Sequence, residues 1–152
     1  MADASITGTA VLQCKDPPPS RPPHHTGAWN ALAYDARGWP CFEEATSLSV
    51  EVHLAAAQRQ AATRGAPMPE RFASLNAPFS RPKVTDISGG KAVRREVHEP
   101  PEVFLAQQVS KLHRARFTNG ADTELVARLL SEFFALIGRA IATARESAET
   151  KE

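Results

Sequence analysis

Residues 121–147 read ADTELVARLLSEFFALIGRAIATARES, and this stretch decides the fold. Its apolar side chains recur at steps of three and four, which places them on one face of an α-helix. The large ones on that face are Leu125, Val126, Leu129, Leu130, Phe133, Phe134, Ile137 and Ile141. A helix that left them in water would not offset the entropy of ordering its backbone, about 1–2 kcal/mol per residue. The face must therefore pack on other helices, and any part they leave uncovered becomes a surface for a partner or a second copy.

Two further helices are predicted upstream, and each begins at a proline, whose missing N–H costs nothing in a first helical turn. The first covers residues 40–62, where Cys41, Ala45, Leu48, Val52 and Ala55 share one face. The second covers residues 101–114, where Phe104, Leu105, Gln108, Val109 and Leu112 form a stripe. Short strands are predicted at 6–12, 83–88 and 92–97 from their β-branched residues and the Gly89-Gly90 turn. The expected fold class is mainly α with a few short strands, or the remnant of an α/β fold, with principal helices at about 40–62, 101–114 and 121–147.

The twelve prolines of the 152-residue chain are clustered and divide it into segments. Residues 1–33 are expected to be proline-rich and weakly ordered, and residues 34–147 to form a single helical or α/β domain. The tract Pro17–Pro23 cannot be helix or central strand. It is either a polyproline ligand for an SH3-like groove or, as is more common for such tracts, a stiff linker.

Composition excludes several classes of function. A formal net charge of +1 offers no concentrated positive face for nucleic acid. No stretch is long and apolar enough to cross a membrane, and the first residues do not resemble a secretory signal. Cys14 and Cys41 make no disulfide framework, and no histidine or cysteine pair has the spacing of a zinc site. We therefore expect a cytoplasmic protein, without excluding the nucleus, that has no metal, no nucleic-acid partner and no membrane association.

The most distinctive stretch for chemistry is 34–43, YDARGWPCFE. Tyr34 and Trp39 could form an aromatic wall beside Asp35 and Arg37, and Glu43 follows in the first turn of a helix. Partial burial and Arg37 could tune a carboxylate there for catalysis. The alternative is that Glu43 and the adjacent glutamate only complement the helix dipole, which is the more common role. In the same way, Cys41 is either an activated thiol at a helix N-terminus or, more in keeping with its apolar neighbours, a buried structural residue.

This stretch resembles the part of Toll/interleukin-1-receptor (TIR)-like domains where a tryptophan opens a helix and a glutamate follows four residues later. In TIR domains that cleave NAD that glutamate is catalytic, so the resemblance implies Glu43 as the catalytic residue and Trp39 as a stacking partner for a base. The same sequence motif, followed later by FTNGAD at 117–122, resembles sequences in a group of uncharacterised algal and protist proteins. TIR domains are flavodoxin-like, with strands and helices ahead of this motif, whereas only 33 residues precede Tyr34 here. The resemblance therefore implies a partial TIR-like domain.

Two functions follow from these observations. The leading hypothesis is a non-enzymatic interaction module, needing no cofactor, that binds a protein partner or its own copy through the 121–147 helix. In it Tyr34, Asp35, Arg37 and Trp39 are binding residues. The alternative is an NAD glycohydrolase-type enzyme with Glu43 as the catalytic carboxylate and NAD as its ligand.

Overall fold

In a computed structural model, the chain is described over residues 11–16, 31–65 and 84–149 and at a few positions between 20 and 26. Strand β1 covers Val11–Cys14, a 3-10 turn covers Tyr34–Ala36, and helix α1 covers Gly38–Arg64. Strands β2 (Val84–Ser88) and β3 (Lys91–Arg94) follow, then helices α2 (Pro101–Arg114) and α3 (Asp122–Glu149). The described part of the chain is therefore mainly helical with a few short strands, as the sequence predicts.

The three helices lie where proline positions and apolar periodicity predict them. Helix α1 begins two residues before Pro40 and ends at Gly65, whose left-handed φ of 65° suits glycine at a helix end. Pro101 is the first residue of α2. The basic residues Lys111, His113 and Arg114 lie in its last turn, where the negative end of the helix dipole stabilises positive charge. Ahead of α3, the Asn119 side-chain oxygen accepts a hydrogen bond from the Ala121 N–H at 3.3 Å. This bond closes the turn that leads into α3.

The strands form one sheet in the order β1-β2-β3. β1 and β2 are parallel, with Val11 opposite Val84, whereas β2 and β3 form an antiparallel hairpin. The hairpin turn is Gly89-Gly90, where both residues have positive φ, 55° and 72°. The first strand had been expected at 6–12. It lies at Val11–Cys14, inside the segment that we expected to be weakly ordered, and residues 6–10 fall outside the described residues.

Two clusters of buried side chains form the core. One joins the start of α1 to α2 and α3, and consists of Cys41, Ala45, Leu112, Val126 and Leu130. The other lies further along α1 and consists of Leu48, Val52, Val84, Phe104 and Phe134. From the first cluster to the second, the residues contributed by α1 and by α3 have increasing numbers, whereas α2 contributes Leu112 to the first and Phe104 to the second. Helices α1 and α3 are therefore parallel to each other and antiparallel to α2, and Val84 of β2 attaches the sheet to this group.

The apolar face of α3 is only partly covered by this core. Val126, Leu130 and Phe134 are buried, as expected. Leu125, Leu129 and Phe133, which the sequence placed on the same face, remain exposed. Helices α1 and α2 therefore cover one flank of the apolar face and leave the other flank exposed, which is one of the two outcomes that the sequence allows.

Candidate functional site

The two sequence motifs at 34–43 and 117–122 meet in the structure at the start of α1. The Gly38 N–H donates to the Arg116 carbonyl at 2.9 Å, and the Arg116 N–H donates to the Ala36 carbonyl at the same distance. The Phe117 ring lies against Gly38 so closely that a Cβ there would be 2.3 Å from a ring carbon. Glycine at position 38 is therefore required for this contact.

Trp39 lies at the edge of this junction. Its ring makes edge-on contacts with Phe42 and with Phe117, each with ring centroids 6.1 Å apart. Nearly half of Trp39, 47%, is exposed. Trp39, Phe42 and Phe117 thus mainly pack against one another, while part of the Trp39 ring stays exposed to solvent.

The other predicted binding residues lie around the 3-10 turn. The Arg37 guanidinium donates from Nε and Nη2 to the Leu32 carbonyl at 3.0 and 2.8 Å. The exposed Asp35 carboxylate lies 3.6 Å from the Lys15 ammonium. Burial, with a smaller contribution from the Glu43 carboxylate, raises the pKa of Tyr34 against the opposing effect of Arg37. The turn therefore brings Tyr34, Asp35, Arg37 and Glu43 into one region, where Arg37 binds the backbone.

The two adjacent glutamates at the start of α1 have opposite environments. Glu43, the predicted catalytic residue, is exposed. Glu44 is buried, with only 2% of its surface accessible. Its carboxylate accepts hydrogen bonds of 2.9 and 2.8 Å from the Lys111 ammonium of α2 and also pairs with the Arg95 guanidinium. Glu44 lies three residues after Cys41, which is the spacing that places it on the buried face of α1.

The ion pairs of Glu44 extend into the sheet. The Nε of Arg95 donates to the Asp86 carboxylate at 3.1 Å, and its Nη2 donates to the Gln13 side-chain oxygen at 3.2 Å. Lys15 donates to the same Gln13 oxygen at 3.0 Å. The buried Gln13 amide in turn donates to the Pro40 carbonyl at 3.3 Å.

We call this group the Glu44 network: Gln13, Lys15, Asp35, Glu44, Asp86, Arg95 and Lys111. It contains three carboxylates and three cations, so its formal charges balance. Sequence reasoning missed it because its members come from six separate places in the chain. Balanced charges and mutual hydrogen bonds give the network a structural role, which is to hold β1, β2 and the residue after β3 against α1 and α2.

Cys41 lies beside this network and is buried. Its thiol donates to the Asp35 carbonyl at 3.0 Å. Burial raises the pKa of the Cys41 thiol, and the nearby Lys111 ammonium opposes that rise only in part. The interpretation of Cys41 as a structural cysteine is therefore supported over an activated thiolate.

A groove of about 340 Å³ separates the C-terminal half of α1 from α3. His53 lines it, with Nε2 3.1 Å from the Phe134 carbonyl and a ring centroid 4.2 Å from that of Phe134. Burial lowers the pKa of His53, so the neutral ring donates from Nε2 to this carbonyl near pH 7. Gly138 leaves room for the His53 ring, because a Cβ there would be 2.9 Å from it.

The largest exposed apolar feature of α3 is a row of four side chains on successive turns. Leu125, Leu129, Phe133 and Leu136 are 43%, 41%, 37% and 57% exposed. Their spacing of four, four and three residues aligns them along one side of the helix. We call this row the α3 stripe. It is the candidate functional site that the geometry supports best, because large contiguous apolar surfaces on a folded chain mark binding sites.

Among the described residues, no group of three histidine, cysteine or acidic side chains is placed to hold a metal ion. Within the same ranges, no helix has both the length and the apolar character needed to span a membrane.

No family model matches this chain, and no curated protein or solved structure resembles it at a significant level.

Proposed function

We propose that this chain is a non-enzymatic protein-interaction module that binds a helical partner through the α3 stripe. The observation that carries the proposal is the exposure of four large apolar side chains in a row on a helix whose other flank is anchored in the core. Such a rigid, apolar helix surface is suited to pack against a second helix.

The energy available supports a binding role. Complete burial of a leucine or phenylalanine side chain contributes about 1.5–3 kcal/mol, so covering the exposed part of each stripe residue contributes roughly 1 kcal/mol. Association must also offset the loss of rotational and translational freedom. The stripe alone therefore supports only a weak, reversible complex.

The arrangement at the start of α1 gives less support to the alternative, NAD cleavage by Glu43. The Glu43 carboxylate is exposed, and the buried Glu44 carboxylate next to it forms ion pairs with Lys111 and Arg95. The TIR-like resemblance, the use of NAD, the partner interaction of the proline tract and the cytoplasmic location stay predictions. Incubating the purified chain with NAD, alongside Glu43→Ala, tests the enzymatic one.

Sedimentation velocity tests the interaction module. We expect the sedimentation coefficient of the full chain to rise with concentration between about 1 and 200 µM, as a weak association requires. A concentration-independent monomer over this range contradicts the proposal for a self-associating stripe.

A further inference from the structure

The exposed side of α3 has the spacing of a coiled-coil seam. Leu129, Phe133, Leu136 and Ala140 are separated by four, three and four residues, and all four are exposed. Alternating steps of four and three residues are typical of coiled coils, in which the side chains of two helices interlock along their contact. Thr143, also exposed, continues the same spacing, so the seam extends beyond the α3 stripe by about two helical turns.

Two opposite charges flank this seam on one side. Glu132 directly precedes Phe133, and Arg139 directly precedes Ala140. Both side chains are exposed. Glu132 lies 3.9 Å from Arg128 within the same helix, and an exposed pair of that kind contributes little. Glu132 and Arg139 are therefore well placed to interact across an interface.

We infer that the partner of the α3 stripe is a second copy of this chain, whose α3 packs antiparallel to the first; this inference rests on the proposed function. In the matching register, Phe133 faces Leu136 of the second copy, and Leu129 faces Ala140. Because a two-fold axis relates the two helices, the side of one helix that carries Glu132 and Arg139 lies next to the same side of the other helix. Glu132 of each copy comes opposite Arg139 of the other, which forms two equivalent ion pairs.

A parallel arrangement lacks this complementarity. In a parallel pair, the residue that directly precedes Phe133 or Ala140 faces the residue five positions later in the sequence of the other helix. Glu132 would then face Ile137, and Arg139 would face Ala144. Neither contact matches charge with charge, so the positions of Glu132 and Arg139 favour the antiparallel pair.

Charge reversal tests the orientation on the full chain, in a buffer of low ionic strength so that the ion pairs are not screened. Glu132→Arg and Arg139→Glu each turn two attractive pairs into repulsive ones, and each should weaken self-association by roughly tenfold. An equimolar mixture of the two variants should associate like the wild type, because every pair across a mixed dimer is again of opposite charge. Arg94→Glu on β3, an exposed position away from α3 that makes the same change of net charge as Arg139→Glu, is the control and should have no effect.

The outcomes separate this inference from the proposed function. If the wild type associates and Leu136→Glu abolishes association, but the mixture is no tighter than either variant alone, the antiparallel register is wrong and the interaction surface stands. If the wild type does not associate at all, a second copy is not the partner and this inference is wrong, whereas binding of a different helical partner by the α3 stripe is not contradicted. Restored association in the mixture supports the antiparallel dimer and cannot be explained by a general effect of net charge.

Discussion

The carboxylate of Glu44 in α1 and the ammonium of Lys111 in α2, 67 residues apart in sequence, are joined by two hydrogen bonds of 2.9 and 2.8 Å. Arg95, just after β3, pairs with the same carboxylate. One buried acid therefore fixes three separate parts of the chain to one another. This contact, rather than the exposed Glu43 beside it, is the main electrostatic feature of the domain.

Replacing Glu44 with Gln should destabilise the domain strongly. The amide keeps the size of the side chain but removes the carboxylate that pairs with Lys111, and it leaves Arg95 paired with Asp86 alone of its two carboxylates. We expect a loss of about 2–4 kcal/mol in the free energy of unfolding, somewhat below a fully buried pair because Lys111 and Arg95 retain some solvent contact. Urea denaturation followed by circular dichroism measures it. Glu43→Gln is the matched control and should change stability by less than about 0.5 kcal/mol; equal losses in the two variants would show that the network does not stabilise the fold.

Gly38→Ala should separate the two motifs that meet at the start of α1. The added methyl group would lie 2.3 Å from the Phe117 ring, so the ring or the helix start must move. Overpacking of this kind costs about 1–3 kcal/mol. Gly120→Ala is the control, since a Cβ there meets nothing within 4 Å. Thermal unfolding of both variants checks the prediction, which fails if Gly38→Ala is as stable as Gly120→Ala.

His53 should make the stability of the domain depend on pH. Its pKa in the folded chain is lowered from the ordinary value of 6.5, so below that value the unfolded chain binds the proton more readily. Stability is therefore highest above about pH 6.5 and falls as the pH decreases toward the folded pKa. His53→Gln should flatten the profile below about pH 6.5 in urea titrations. A variant profile parallel to that of the wild type would contradict this assignment.

Much of the fold could be predicted from local sequence. Pro40 and Pro101 mark the beginnings of two helices to within two residues, and the doubled glycine at 89–90 marks the hairpin. Each of these signals acts through the backbone of its own residue, and so it is visible without knowing the rest of the chain.

The candidate site could be predicted only in part, because it depends on contacts between distant segments. A resemblance alone singles out Glu43 over Glu44, although the spacing from Cys41 marks Glu44 as the inward-facing residue. The pairing of β1 with β2 joins residues more than 70 positions apart, which no local pattern reveals. Periodicity places Leu125, Leu129 and Phe133 on the apolar face of α3 but does not include Leu136, and which flank α1 and α2 leave uncovered depends on how the helices pack.

The most direct test of the α3 stripe as a binding surface is sedimentation equilibrium of Leu136→Glu beside Ala135→Glu. Both variants place the same charge at neighbouring exposed positions of one helix, but only Leu136 belongs to the stripe. We predict concentration-dependent association for the wild type and Ala135→Glu, and a monomer at every concentration for Leu136→Glu, with unchanged circular dichroism for all three. Equal association of Leu136→Glu and Ala135→Glu would contradict the account.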